Sequence, residues 1–225
     1  MGRKIFHWLA GIFCLAIVCL AAGCSLPEAN LGGVDDGSGY DVVDDQGTRV
    51  HIPGKPRRIL AGNLAFDTMI LGITTPDHLV AVNILDRDPL ASFISEDVKS
   101  VKLTSRSLTG ISLETVVKAK PDVLILPDWN SKNDIDMFRS LGYAVVVLKG
   151  PSSVEDVRHD ILRIAEVLGE TERGRKVVKE MDRQLAEIDE TLSKRTDREP
   201  VGLLVSQMTS WGNAIQLSVL HKHTL

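Results

Sequence analysis

Ser112-Leu113-Glu114-Thr115-Val116-Val117-Lys118-Ala119-Lys120-Pro121-Asp122-Val123-Leu124-Ile125 changes its pattern at a proline. Up to Ala119 the apolar residues return at helical spacing behind Ser112, which opens the helix. From Asp122 to Leu126 they run almost without interruption, as a buried strand does. Pro121 stands at the boundary, where it punctuates the helix and offers no backbone N–H. A helix that feeds a fully apolar strand is the step from which parallel sheets are built.

The same alternation continues on both sides. Strands are expected at 58–61, 79–82 and 144–148, and helices at 65–71 and 135–141, the second closed by Gly142. Upstream, the β-rich runs 40–44 and 48–52 flank Asp45-Gln46-Gly47, a hairpin pattern. Downstream, Ser153 is an N-cap with Asp156 three residues on, and Val154, Val157, Ile161, Ile164 and Leu168 form an apolar stripe that ends at Gly169. Thr171 to about Lys194 forms a second, longer helix with the narrow stripe Val177, Met181, Leu185, Ile188 and Leu192. At 1.5 Å per residue it is roughly 35 Å long, enough for a spine between lobes. After Pro200, the run 201–205 has the composition of a strand that begins a new βα unit, but 212–225 shows neither period nor turn pattern. The expected fold is therefore α/β: an open parallel-sheet N-terminal lobe with a preceding hairpin, a long interdomain helix, and an incomplete second α/β lobe.

The N-terminus has its own grammar. Cys14, Cys19 and Cys24 are the only cysteines, and Cys24 closes Leu20-Ala21-Ala22-Gly23-Cys24 behind basic Arg3 and Lys4 and an apolar stretch. This reads as a lipoprotein signal peptide over 1–23, with Cys24 lipidated and 24–39, rich in Gly and Asp, as a flexible tether. The alternative is an uncleaved transmembrane helix, since 5–23 is nearly long enough to cross about 30 Å of hydrocarbon. Either form holds the chain to a bilayer with the remainder outside the cytoplasm. Loss of the signal removes two basic residues and moves the net charge from -4 to -6. That balance excludes a basic nucleic-acid binder, and no internal disulfide is left to form.

In open parallel sheets ligands sit beyond the carboxyl ends of the strands. The loops there offer Asn63 and Leu64, the run from Asn83 to Arg87, and Asp128-Trp129-Asn130, while Thr104-Ser105-Arg106-Ser107 precedes the helix opened by Ser112. Trp129 supplies a flat apolar face, and Arg87 and Arg106 supply forks for carboxylates or phenolates. Asn63, Arg87, Arg106, Trp129 and Asn130 are thus the candidate contacts for a bulky, anionic, partly aromatic ligand. The competing reading is structural: Trp129 as partial packing, and Arg87 paired on the surface with Asp86 and Asp88. No nucleophile elbow, phosphate loop, H-E-x-x-H or dinucleotide fingerprint occurs, so an enzyme is not expected. The six histidines are scattered, with His159 on a charged helix face, and no zinc or manganese cluster is expected.

Taken together, residues 40–205 resemble the periplasmic-binding family that delivers iron-siderophores, haem or cobalamin to ABC importers. The resemblance rests on Ile52-Pro53-Gly54-Lys55-Pro56-Arg57-Arg58-Ile59, on Leu71-Gly72-Ile73 leading to Leu79-Val80-Ala81-Val82, and above all on Ser112-Leu113-Glu114 followed by Lys120-Pro121-Asp122-Val123-Leu124-Ile125. It implies a two-lobed monomer with little hinge motion and without cofactor: 40–170 as the N-terminal ligand-binding lobe, 171–195 as the interdomain helix, and 200–225 as the start of a truncated C-terminal lobe. It also implies that Glu114 docks onto basic residues of the permease, where composition alone reads a first-turn helix acid. Family members carry a full second lobe after the strand near Val201, so a one-walled cleft and weak binding or none are expected of this chain. A different class of function, a single-lobe lipoprotein adaptor or sensor for a protein partner, is the alternative.

Overall fold

The computed structural model describes residues 39–105, 110–194, 204–208 and 215–219. Tyr40–Val43 (β1) and Arg49–Ile52 (β2) pair antiparallel with Val42 opposite Val50. Val42, Val50 and Ile52 turn inward while Asp41, Val43, Arg49 and His51 stay exposed, the period-two alternation of a hairpin with one covered face. Asp44 fixes the turn: its Oδ1 accepts from Gln46 N at 3.0 Å and Thr48 N at 2.8 Å.

Ile59–Leu60 (β3), Leu79–Asn83 (β4), Leu103–Ser105 (β5), Val123–Pro127 (β6) and Val145–Leu148 (β7) form a five-stranded parallel sheet in the order β5-β4-β3-β6-β7. Every residue of β6 and β7 is buried, which explains their uninterrupted apolar spelling. The helices are Leu64–Ile73 (α1), Leu113–Ala119 (α2), Lys132–Ser140 (α3), Val154–Val167 (α4) and Thr171–Ser193 (α5). Successive strand residues point to opposite faces and divide the core in two. Ile59, Val82, Ile125 and Val146 pack with α1, α4 and the hairpin, whereas Leu60, Ala81, Leu124 and Val145 pack with α2 and α3 through Val116, Ile135 and Phe138.

Local signals act where they were expected. Ser112 and Ser153 cap their helices by accepting from Thr115 N at 3.2 Å and Asp156 N at 3.1 Å. Asp156 reaches back to Ser152, not to the cap residue itself, and accepts from Ser152 N at 3.0 Å and Ser152 Oγ at 2.6 Å. Before Pro121, Lys120 caps α2 in the left-handed region at φ 46°, and Arg58 Nε holds its carbonyl at 2.7 Å.

Two elements differ from the sequence expectation. Thr104 and Ser105, expected in a loop, belong to edge strand β5, whose three residues hold a single apolar side chain, too few to show a period. At the C-terminus a strand does occur, at Leu204–Met208 (β8), but its partner is the antiparallel strand Ile215–Val219 (β9) and not a helix-linked parallel strand. Ile215-Gln216-Leu217-Ser218-Val219 alternates with period two, a run too short to stand out from its surroundings. Among the described residues no helix is long and apolar enough to cross a membrane. The signal, Cys24 and most of the tether lie outside the described residues.

Candidate functional site

Central strand β3 has β4 on one side and β6 on the other, and the chain crosses over between β5 and β6. The strand order therefore reverses beside β3, and the carboxyl ends of β3, β4, β6 and β7 are where an open parallel sheet of this order holds its ligand. Gly62 follows β3 in the left-handed region at φ 58°, and a β-carbon there would lie 2.9 Å from Ile111 Cδ1. Glycine lets the 110–111 segment close over the strand end.

Asn63 is intermediate in exposure and caps α1: its Oδ1 accepts from Ala65 N at 2.9 Å and Phe66 N at 3.2 Å. That oxygen serves the helix, so what Asn63 can offer a ligand is its amide nitrogen. Asn83, at the end of β4, donates through Nδ2 to Gly62 O at 3.1 Å and ties the two strand ends together. Its own N–H points at two acids, Asp67 Oδ2 at 3.1 Å and Asp86 Oδ2 at 2.9 Å. Both carboxyls are fully buried. Loss of hydration pushes each above the usual carboxylate range, and Asp67 well above it, with the charge of neighbouring Asp86 adding to the burial. Sequence reading missed Asn83, Asp67 and Asp86 as a unit, since nothing in their spacing links a helix acid to a loop acid.

Arg87 donates through Nη2 to Val101 O, and so part of its fork holds the chain ahead of β5. Arg106 lies outside the described residues. Trp129 follows β6 and rests on Gly150, which follows β7: a β-carbon at Gly150 would lie 1.6 Å from Trp129 Cζ3. The residue is nevertheless 51% exposed, so one ring face is seated and the rest is open to solvent. Asp128 locks the two strand ends, its N–H donating to Leu148 O at 2.9 Å and its Oδ1 accepting from Gly150 N at 3.4 Å. Asn130 is nearly buried and donates from its backbone to Pro127 O at 3.0 Å. The fold thus brings Asn63, Trp129 and Asn130 to one end of the sheet.

Glu114 sits in the first turn of α2, exposed, with its carboxylate 2.6 Å from Lys118 Nζ. The hydrogen bond from Lys118 holds that carboxyl below its ordinary value. Because α2 starts where the chain leaves the carboxyl end of β5, Glu114 stands at the rim of the same end of the sheet.

Residues 59–210 match the family model described as periplasmic binding protein. The chain belongs to the periplasmic binding protein family. This family is one of solute binders, in keeping with the missing catalytic motifs. Among curated periplasmic binding proteins, the chain is 22% identical over 189 residues to "Probable siderophore-binding lipoprotein YfiY" of Bacillus subtilis (strain 168), covering 83% of this chain and 56% of the relative. It is 22% identical over 194 residues to the "Fe(3+)-citrate-binding protein YfmC" of the same organism, covering 83% and 59%. The chain thus spans a little over half the length of these relatives. Among solved structures, the heme binding protein HmuT superposes with a TM-score of 0.62 at 20% identity, over 77% of this chain and 55% of that one. The siderophore binding protein BauB, bound to two molecules of acinetobactin and ferric iron, gives 0.56 at 12% identity, over 76% and 59%. These likenesses carry the fold: an open α/β lobe of a periplasmic binding protein.

Proposed function

We propose that this chain is the capturing lobe of an extracytoplasmic binding lipoprotein that takes up a ferric siderophore, haem or cobalamin and hands it to an ABC permease. The observation that carries the reading is the half-open indole of Trp129, seated on Gly150 at the end of the sheet where the strand order reverses. A preset aromatic face loses little conformational entropy on meeting a planar or aromatic ligand. The names of the relatives, which refer to siderophore, ferric citrate and heme, support an iron complex as the cargo class.

The reading divides the chain as its sequence suggests: signal over 1–23, tether over 24–39 with lipid on Cys24, capturing lobe over 40–170, spine over 171–195, and the start of a second lobe over 200–225. Support for a second lobe comes from α5. Its stripe is packed at Val177, Val178 and Met181, yet Ile188 and Leu192 are each 53% exposed. Glu114, at the rim, would meet basic residues of the permease and set orientation and on-rate more than ligand affinity.

The test is tryptophan fluorescence of the chain carrying Trp8→Phe and Trp211→Phe, titrated with haem, cobalamin and a panel of ferric siderophores. Saturable quenching by one of them is expected; linear, unsaturable quenching by all of them would refute capture at Trp129.

A second reading, a lipoprotein adaptor for a protein partner, is favoured by Leu90 and Phe93, two large apolar side chains fully exposed in the loop after β4. An adaptor finds its partner with no small ligand present, which separates the two readings in a pull-down performed with and without chelate.

A further inference from the structure

Asp45, His159 and Asp160 are far apart in sequence, yet their side-chain ligand atoms lie within 4.8 Å of one another. Asp45 comes from the hairpin turn and the other two from α4. His159 Nε2 is 3.3 Å from each Asp45 carboxylate oxygen. Scattered histidines argued against a metal cluster along the chain, but folding brings one histidine to two acids.

The second observation is Asp160 itself. Its relative exposure is 0%, and neither of its carboxylate oxygens has a hydrogen-bond partner. A buried carboxylate without a partner is strongly disfavoured, because it has given up water and gained nothing in return. No nearby cation pairs with Asp160: Arg163 donates to Glu166 and to Val43 O and pairs with Asp45 through Nε at 3.8 Å, and Lys149 Nζ lies 3.7 Å from Asp156 Oδ1. The cavity between hairpin and helix is also lined by Glu155 and Asp156. A small divalent cation would supply what Asp160 lacks.

We propose that Asp45, His159 and Asp160 form a divalent-cation site of the manganese or zinc class that clamps the N-terminal hairpin to α4. One imidazole nitrogen with two carboxylates suits such borderline ions, and water completes the coordination. His159 ligates through Nε2 with its proton on Nδ1. The clamp bears on the ligand face too, because Lys149 N donates to Asp45 Oδ2 at 2.9 Å and the next residue, Gly150, carries Trp129.

The full chain, purified in detergent and stripped with chelator, is titrated with Mn2+ while the electron paramagnetic signal of the free aqua ion is followed. Manganese is chosen because the thiols of Cys14, Cys19 and Cys24 bind it poorly. One ion per chain is expected, with Asp160→Asn and His159→Gln each weakening binding about tenfold or more, and Asp136→Asn, an exposed acid on α3, leaving it unchanged. Mn2+ should also raise the melting temperature of the parent and of Asp136→Asn, but not of the two site variants. His159 is half exposed, so its variant keeps the fold if Asp160→Asn does not. No saturable binding at millimolar Mn2+, or equal binding by parent and site variants, would overturn the proposal.

Discussion

Trp129 and Gly150, from loops that follow neighbouring strands, touch so closely that no side chain fits between them: a β-carbon on Gly150 would lie 1.6 Å from the indole. The ring is held by backbone and presents its remaining surface to solvent. Gly150→Ala must therefore expel the ring or move β7. The expected result is a red-shifted Trp129 emission in the Trp8→Phe, Trp211→Phe background and a loss of about 1–3 kcal/mol of stability by urea denaturation. An unchanged emission maximum would mean that the seat is not what holds the indole.

Glu114 pairs with Lys118 and lies exposed in the first turn of α2. Glu114→Ala should leave both stability and chelate affinity where they were, while uptake by cells that depend on this protein falls. Isothermal titration beside a radio-iron uptake assay checks both halves; abolished chelate binding in the isolated variant would count against a docking role.

Asp67 and Asp86 are both pushed upward by burial, so the folded state binds protons that the unfolded chain has released. A raised folded value stabilises fully below the ordinary carboxylate range and loses that contribution as pH rises through the raised values. Wild type should thus lose stability from about pH 4 upward, by at most ~1.4 kcal/mol per pH unit for each proton involved. Asp67→Asn should flatten that slope and be the more stable protein at pH 8. Urea midpoints at pH 5, 6, 7 and 8 decide it, parallel curves being the contrary result.

Asp44 Oδ2 accepts from Arg139 Nη2 at 2.7 Å and Val147 N at 3.3 Å while its Oδ1 holds the hairpin turn. Its side chain is fully withdrawn from water. Asp44→Ala leaves Arg139 without its acid and should cost roughly 3–5 kcal/mol, read as a lower urea midpoint. A loss under about 1 kcal/mol would show that water replaces the carboxylate at no great cost.

Much of this architecture is legible in the residues because local signals agree with one another. Val123–Pro127 and Val145–Leu148 spell buried strands with no polar interruption, and Ser112 and Ser153 cap the helices that their positions announce. β5 stayed hidden because an edge strand of three residues needs almost no apolar content. At the site, Trp129 could be singled out by its place after an apolar run, but its seat on Gly150 depends on two strand ends meeting in space. The union of Asp67, Asn83 and Asp86, and that of Asp45 with His159 and Asp160, come from tertiary contact between distant segments, which no periodicity records.

The central claim is that an iron chelate lands on the carboxyl ends of β3, β4, β6 and β7. Backbone NMR of the isotopically labelled chain, titrated with diamagnetic gallium complexes of citrate, hydroxamate and catecholate siderophores and of protoporphyrin, tests it most directly. The account predicts that one complex shifts the amides of Gly62, Asn63, Trp129, Asn130 and Gly150 together with a single binding curve, while amides of α3 and of the hairpin strands stay still. Shifts centred on those outer elements, or none from any complex at millimolar concentration, would contradict it.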